Sequence, residues 1–221
     1  LTQLDLKTLL LSLETAGLAT ILVAFVATPL AWAMARHRFR GQFVVDGLFL
    51  TPLILPPTVT GFVLLQLLGV HGPLGSLWMK IFGESFIFTK KAAVIAAAVV
   101  AFPLMYRTAR SAFEQIEPSS LDAAVTLGAK PWYLFRTIGW SESLPGLIGA
   151  LTLAFGRALG EFGATLIVAG NIEGKTQTIP TAIYTAIESG NSAQAGMWSC
   201  VLGALAITIA VAGQYTTQRR Y

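Results

Sequence analysis

Charge is what this chain has least of. Asp, Glu, Lys and Arg make up 12% of its 221 residues, while 54% are hydrophobic. Soluble domains carry about 25% charge, so the deficit excludes an ordinary water-soluble domain. The mean hydropathy of +0.67 points the same way. Cysteine is almost missing. Cys200 stands alone, so it cannot form an internal disulfide, and no ligand cluster surrounds it. Its place inside a hydrophobic block reads as a small buried residue. No G-x-x-x-x-G-K-[ST] run occurs, so a phosphate-cradling loop for ATP is not expected. A cleavable leader is not evident either. The first apolar block is long and runs into a basic cluster, which suits a retained span. The net charge of +4 does not point to nucleic acid, because the basic residues flank apolar blocks.

What the chain has is five such blocks, at about 8–34, 43–69, 88–110, 145–170 and 193–215. Each is read as a membrane span. The first holds Glu14 near its start and Thr28-Pro29, where a bend is expected. It ends in Arg36-His37-Arg38-Phe39-Arg40, the densest basic cluster, which the positive-inside rule places in the cytoplasm. His37, a lone histidine in that cluster, reads as structural or incidental.

The second block is interrupted by Pro52, Pro56 and Pro57. Each removes a backbone donor where lipid offers no replacement. Such a break is tolerable beside protein or a water-filled path, where Thr58 and Thr60 would supply hydroxyls. The third block has a core of only fifteen apolar residues at 92–106, about 22 Å as a helix against a hydrocarbon core of about 30 Å. Extension at both ends and snorkelling of Lys91 and Arg107 make up the difference, and Phe102-Pro103 is expected to bend it. In the link before it, Trp78 suits an interfacial anchor.

The fourth block carries Gly149, Gly156, Gly160 and Gly163 close to one face, a pattern that allows near contact between helices. Arg157 and Glu161 lie deep in it and four apart. Charges at that depth are costly unless paired or facing water, so the two form either a structural pair or part of a pathway or gate. A Thr-rich link follows, with a short helix expected from near Pro180. The fifth block is rich in Ala and Gly and is expected to pack closely.

Basic residues sort by side. Arg36, Arg38, Arg40, Arg107, Arg110, Lys130, Arg136, Arg219 and Arg220 fall inside, nine in all; Lys7, Lys80, Lys90, Lys91 and Lys175, five, fall outside. The expected topology is five spans, N-terminus out and C-terminus in.

One segment, 117–140, mixes polar and apolar residues and cannot cross a bilayer. Pro118 suits the first position of a helix, and Leu121, Ala124, Val125 and Gly128 share a face. Gly128 is a natural stop. Pro131 starts a second short helix with Leu134, Phe135 and Ile138 on its apolar side, and Leu144-Pro145-Gly146 supplies a further break. The result is a compact knob that needs a partner surface.

Asp122-Ala123-Ala124, Gly128 and Ile138 resemble the "EAA" loop of permease subunits of ATP-binding-cassette importers. Asp122 stands where that motif has Glu, and Trp140-Ser141 stands where Leu-Pro commonly follows. With Pro56-Pro57, the run Gly160 to Leu166, and Thr178-Ile179-Pro180-Thr181, the chain looks similar to bacterial molybdate permeases over about 8–215.

The resemblance implies an all-α polytopic membrane protein with the bundle of a type I importer permease. It implies a coupling helix contributed by Leu121, Asp122, Ala123, Ala124, Leu127, Gly128, Ala129 and Pro131. Path or gate candidates are Pro56, Pro57, Thr58, Thr60, Arg157 and Glu161. Implied partners are a second permease copy, two ATPase subunits that bind ATP and Mg, a soluble periplasmic oxyanion-binding protein and membrane lipid, with no nucleic acid. No catalytic residue, metal or cofactor is expected in this chain. The implied location is the bacterial inner membrane. Molybdate is the expected cargo, with tungstate next to it. Alternatives are a sulfate or other small-solute importer such as an amino-acid or thiamine type, a secondary transporter, and a non-transporting scaffold. A secondary transporter would call for inverted repeats, and none is visible.

Overall fold

The computed structural model describes residues 6–218. Among them every regular element is helical: α1 Leu6–Arg36, α2 Gln42–Ile54, α3 Pro57–Leu68, α4 Pro73–Phe82, α5 Lys90–Glu114, α6 Pro118–Thr126, α7 Pro131–Tyr133, a π-helical segment Leu134–Gly139, α8 Trp140–Leu159, α9 Gly163–Ala169, α10 Ile179–Glu188 and α11 Ser192–Gln218. Arg219 and Arg220 lie outside the described residues.

α1 and α5 form the spine and run parallel. Glu14 of α1 pairs with Lys90 at the start of α5. At the other end, Arg36 donates to the Phe113 carbonyl. Between these points the helices meet along small residues: Ala16, Ala19, Ala27 and Ala31 on α1, and Ala97, Ala101 and Ala109 on α5, all essentially buried. Helices in lipid gain most from close backbone approach, and alanine permits it. α8 lies against the same face through Ala150, Ala154 and Ala158. A second cluster at the Lys90 end joins α3, α5 and α9 through Leu64, Leu68, Ala93, Ala96, Ala164 and Val168.

α1, α5 and α11 are each long and apolar enough to cross a membrane. Two further spans arise if each bent pair counts as one: α2 with α3, turned by 110°, and Pro131–Leu159 with α9, turned by 59°. Among the described residues five spans is thus the upper count.

α1 continues through Pro29 and α5 through Pro103. α5 has 25 residues, about 37 Å, so the expected extension at both ends of its apolar core is present. Proline is tolerated inside membrane helices where neighbouring helices or side chains re-satisfy the freed backbone groups. The second block is not merely kinked. Leu55 and Pro56 are extended, with ψ of 142° and 138°, and the chain turns there by more than a right angle.

The second helix of the knob is not short. α7, the π segment and α8 run continuously over Pro131–Leu159, and Pro145 sits inside α8 without ending it. The fourth span breaks instead at 160–162, before α9. Gly149 and Gly156 face open space: a Cβ on either would meet nothing within 4 Å. α11 buries only 11% of its apolar window, so it does not pack closely along its length. Cys200, on its open side, is exposed rather than buried.

Candidate functional site

α6 projects beyond the end of the spine marked by Arg36 and Arg110. Pro118 occupies its first turn, where a missing N–H is harmless. Its end is a Schellman arrangement: Ala129 N–H donates to the Ala124 carbonyl at 3.0 Å and Gly128 N–H to the Val125 carbonyl at 2.9 Å. Gly128 takes φ +82°, a left-handed backbone that costs a residue with a Cβ about 1–2 kcal/mol. The expected stop is therefore present, and its cause is visible.

Leu121 alone anchors α6 in the core, beside Phe113 and Ile116. Ala124 is half-buried and Ala129 likewise, while Asp122, Ala123, Gly128 and Pro131 are exposed. Leu127 is 88% exposed and Trp132 69%. The expected apolar stripe thus divides: one residue holds the helix down, and the others face outward. Val125 belongs to the outward set. Between α6 and α7 lies a cavity of about 670 Å³, lined by Ala124, Leu127, Gly128, Trp132, Tyr133 and Ile138 among others.

The base beneath this surface is aromatic. Trp32 meets Phe113 edge-on at 5.2 Å and Phe135 at 5.6 Å. The Arg36 guanidinium lies 5.0 Å above the Trp32 ring, an attraction of about 0.5–2 kcal/mol. A Cβ on Gly139 would come within 2.6 Å of Trp32, so only glycine lets this ring lie flat against the π segment. The wider π turn is closed by Trp140 N–H donating to the Phe135 carbonyl. Such turns inside α-helices occur frequently at functional sites.

The two helix breaks meet. A Cβ on Gly163, the first residue of α9, would stand 2.9 Å from Pro57 Cβ, at the start of α3. A Cβ on Gly61 would stand 2.9 Å from the Ala164 Cα. Pro56, Pro57 and Thr58 are exposed at this junction. Thr60 differs: it is 5% exposed, on the face of α3 buried with Gly61, and its hydroxyl has no partner. It does not face open space in this chain.

Arg157 and Glu161 do join, with Arg157 Nη1 2.7 Å from Glu161 Oε2. Glu161 is 3% exposed, and its Oε1 accepts the Ala164 N–H at 2.9 Å. One carboxylate thus neutralises the arginine and satisfies a free donor at the start of α9. The pair sits at the break, which the spacing alone did not reveal.

At the Lys90 end, α10 begins as expected near Pro180. Thr178 N–H donates to Thr181 Oγ1 at 2.8 Å, and the two threonines form a capping box. Ile179 N–H donates to Ser12 Oγ at 2.7 Å, pinning α10 to α1. Tyr184 donates to Glu188 at 2.5 Å, and this bond raises the phenol's pKa above its ordinary value. Trp78 is stacked on Phe82 at 4.0 Å under Lys91 at 5.1 Å, so it is packed within the link as well as near its surface.

Sequence reasoning passed over two features. Ala169 to Thr176, reading Ala-Gly-Asn-Ile-Glu-Gly-Lys-Thr, is a phosphate-loop pattern with alanine in its first position. It follows helix α9, not a strand, and Thr176 Oγ1 is taken by the Ile172 N–H at 3.0 Å, so the cradle is not formed. The other is Asp46, the only charge in α2. It accepts from Tyr106 Oη at 2.5 Å and from Arg110. A carboxylate in an apolar block was the available signal. Among the described residues no group of His, Cys, Asp and Glu is placed to hold a metal ion.

Comparison with known proteins gives a consistent result. Residues 27–219 match the family model described as binding-protein-dependent transport system inner membrane component. A Bacillus subtilis (strain 168) protein provisionally named molybdenum transport system permease protein YvgM is 46% identical over 85% of this chain and 83% of its own length. The molybdenum transport system permease protein ModB of Escherichia coli (strain K12) is 40% identical over 91% and 88%. The E. coli sulfate transport system permease protein CysT is more distant, at 34% over 76% and 64%. Among solved structures, the MetNI methionine ABC transporter in an inward-facing conformation shares the fold. Its TM-score is 0.70 at 18% identity, over 96% of this chain and 92% of that one. A bacterial alginate ABC transporter, in complex with alginate pentasaccharide-bound periplasmic protein, gives 0.78 at 14%, over 99% and 80%. The chain belongs to the family of binding-protein-dependent transport system inner membrane components, with the bundle of a type I ABC importer permease.

Proposed function

We propose that this chain is the membrane subunit of an ATP-driven importer that brings molybdate, and with it tungstate, into the bacterial cytoplasm. The Arg36–Arg110 end then faces the cytoplasm and the Lys90–α10 end faces outward. Two copies surround a central path, two separate ATPases bind ATP and Mg beneath them, and a soluble oxyanion-binding protein delivers the anion from the periplasmic side. No bond of the cargo is made or broken in this chain.

The observation that carries the reading is the surface of α6 and α7. Leu127 and Trp132 are large, apolar and exposed beside an open cavity, on a segment that also exposes the charged Asp122, Lys130 and Arg136. Exposed apolar anchors with a polar rim suit a protein partner. Closure of the ATPases would move α6 and, through the continuous Pro131–Leu159 helix, the break at 160–162. Such coupling is the movement of rigid elements between states with different contacts.

The relatives named for molybdenum transport favour molybdate over sulfate as cargo. Uptake of radiolabelled molybdate into proteoliposomes holding this chain, its ATPase and its binding protein tests the assignment. ATP-dependent uptake that excess sulfate does not suppress is expected. Uptake suppressed by equimolar sulfate would assign the sulfate alternative, and uptake without the ATPase would assign a secondary transporter.

A further inference from the structure

α2 is held in an unusual way. None of its residues is buried, so packing alone fixes it weakly. Its links to the spine are Gln42 Nε2, which donates to the Met34 carbonyl of α1 at 2.8 Å, Val45 and Phe49, which pack on the core, with Phe49 edge-on to Phe102 at 5.4 Å and to Tyr106 at 5.1 Å, and Asp46. Asp46 Oδ1 accepts from both Tyr106 Oη and Arg110 Nη1. The Arg110 Nε donates in turn to Glu114 at 2.7 Å. Both side chains of the Asp46–Arg110 pair are 21% exposed, so the pair is shielded from water more than a surface bridge and less than a core one.

Its place in the chain matters. Arg110 stands one turn before the end of α5, and α6 begins at Pro118. Asp46 stands two turns before the extended residues Leu55 and Pro56. The pair therefore ties the root of the projecting helix to the half-helix that ends at a break. Beyond that break, α3 lies on α9, where Gly61 meets Ala164.

We propose that Asp46 and Arg110 are positioning residues that transmit movement of α6 through α2 to the junction of Pro57 with Gly163. The inference rests on the reading of α6 as the surface gripped by the ATPase. α5 is joined covalently to α6 through 115–117. Arg110 draws Asp46 with it, and α2, which also holds α1 through Gln42, moves with that end of the spine. Glu114 holds the same arginine but touches no residue of α2 in the ion-pair network, so it separates this role from general support of Arg110.

The test follows nucleotide-driven movement directly and does not depend on the cargo. Thr58→Cys, in a Cys200→Ser background, reports on the junction in proteoliposomes containing the ATPase. Thiol labelling is compared without nucleotide and with ATP plus vanadate. In the parent, nucleotide changes the labelling rate by about 5-fold or more, the scale of ordinary coupling between sites. D46N flattens this change while ATPase activity per complex stays within about 2-fold, as expected when one coupling contact is lost. Asp46→Glu recovers most of the change, and Glu114→Gln leaves it intact. A nucleotide response in D46N equal to the parent's overturns the proposal alone. A D46N complex that fails to assemble makes the pair a structural anchor and also overturns it. Absence of any response in the parent removes the docking reading, and this proposal with it.

Discussion

Glu161 sits between Arg157 and the start of α9, one oxygen 2.7 Å from the arginine and the other 2.9 Å from the Ala164 N–H. The broken span is therefore closed electrostatically by a single side chain. Removing one partner of a fully buried pair costs about 3–5 kcal/mol, and an exposed pair is worth about 0–1. Arg157 is 27% exposed and Glu161 almost wholly buried, so an intermediate figure applies. Glu161→Ala should destabilise the chain by about 2 kcal/mol, read as a lower midpoint of thermal unfolding in detergent. Glu161→Gln keeps an acceptor for Ala164 and should lose less. Equal losses would show that the N–H contact contributes nothing.

The left-handed Gly128 ends α6 and aims Ala129 and Lys130 toward α7. Gly128→Val should cost about 1–2 kcal/mol locally, and Gly128→Pro should remove the turn's N–H bond to Val125 as well. Both variants should insert into the membrane normally and yet move less molybdate per ATP hydrolysed. A bulky change at Ala124 should act the same way by filling the cavity it lines. Unaltered transport per ATP in all three would count against α6 as the coupling element.

Glycines in this chain are not equivalent. Gly61→Val would press on the Ala164 backbone and on Ile167, and overpacking costs about 1–3 kcal/mol. Gly149→Ala meets nothing, and alanine is about 1 kcal/mol better than glycine inside a helix. The first should lower the unfolding midpoint of the solubilised chain and the second should leave it unchanged or raise it. The reverse order would mean that α3 and α9 are not in contact.

Much of this was legible beforehand, for physical reasons. Long apolar runs separated by basic clusters specify spans, and Pro118 and Gly128 specify the ends of α6, because these signals act locally. The break near Pro56 was legible as a break but not as a turn of 110°, since that angle is set by α3 docking on α9. Pro145 misled in the other direction: the break expected there is absent, and α8 runs through it intact. The bend at 160–162 has no proline at all; it is fixed by Glu161 serving both sides. Cys200 and most of α11 were expected to be covered, and composition cannot say which side of an Ala-rich helix meets the bundle. The Asp46–Tyr106–Arg110 contact joins residues 60 and more positions apart, beyond the reach of any spacing argument.

The central claim is that α6 and its neighbour α7 are seized by a separate ATPase on the cytoplasmic side. The direct measurement is site-specific crosslinking from Leu127→Cys, in a Cys200→Ser background, carried out on inverted and right-side-out vesicles with the ATPase present. The account predicts an adduct with the ATPase whose yield changes when ATP is trapped, and thiol labelling at that position only from the cytoplasmic face. Labelling from the outer face, or a complex in which residue 127 never meets the ATPase, would contradict it.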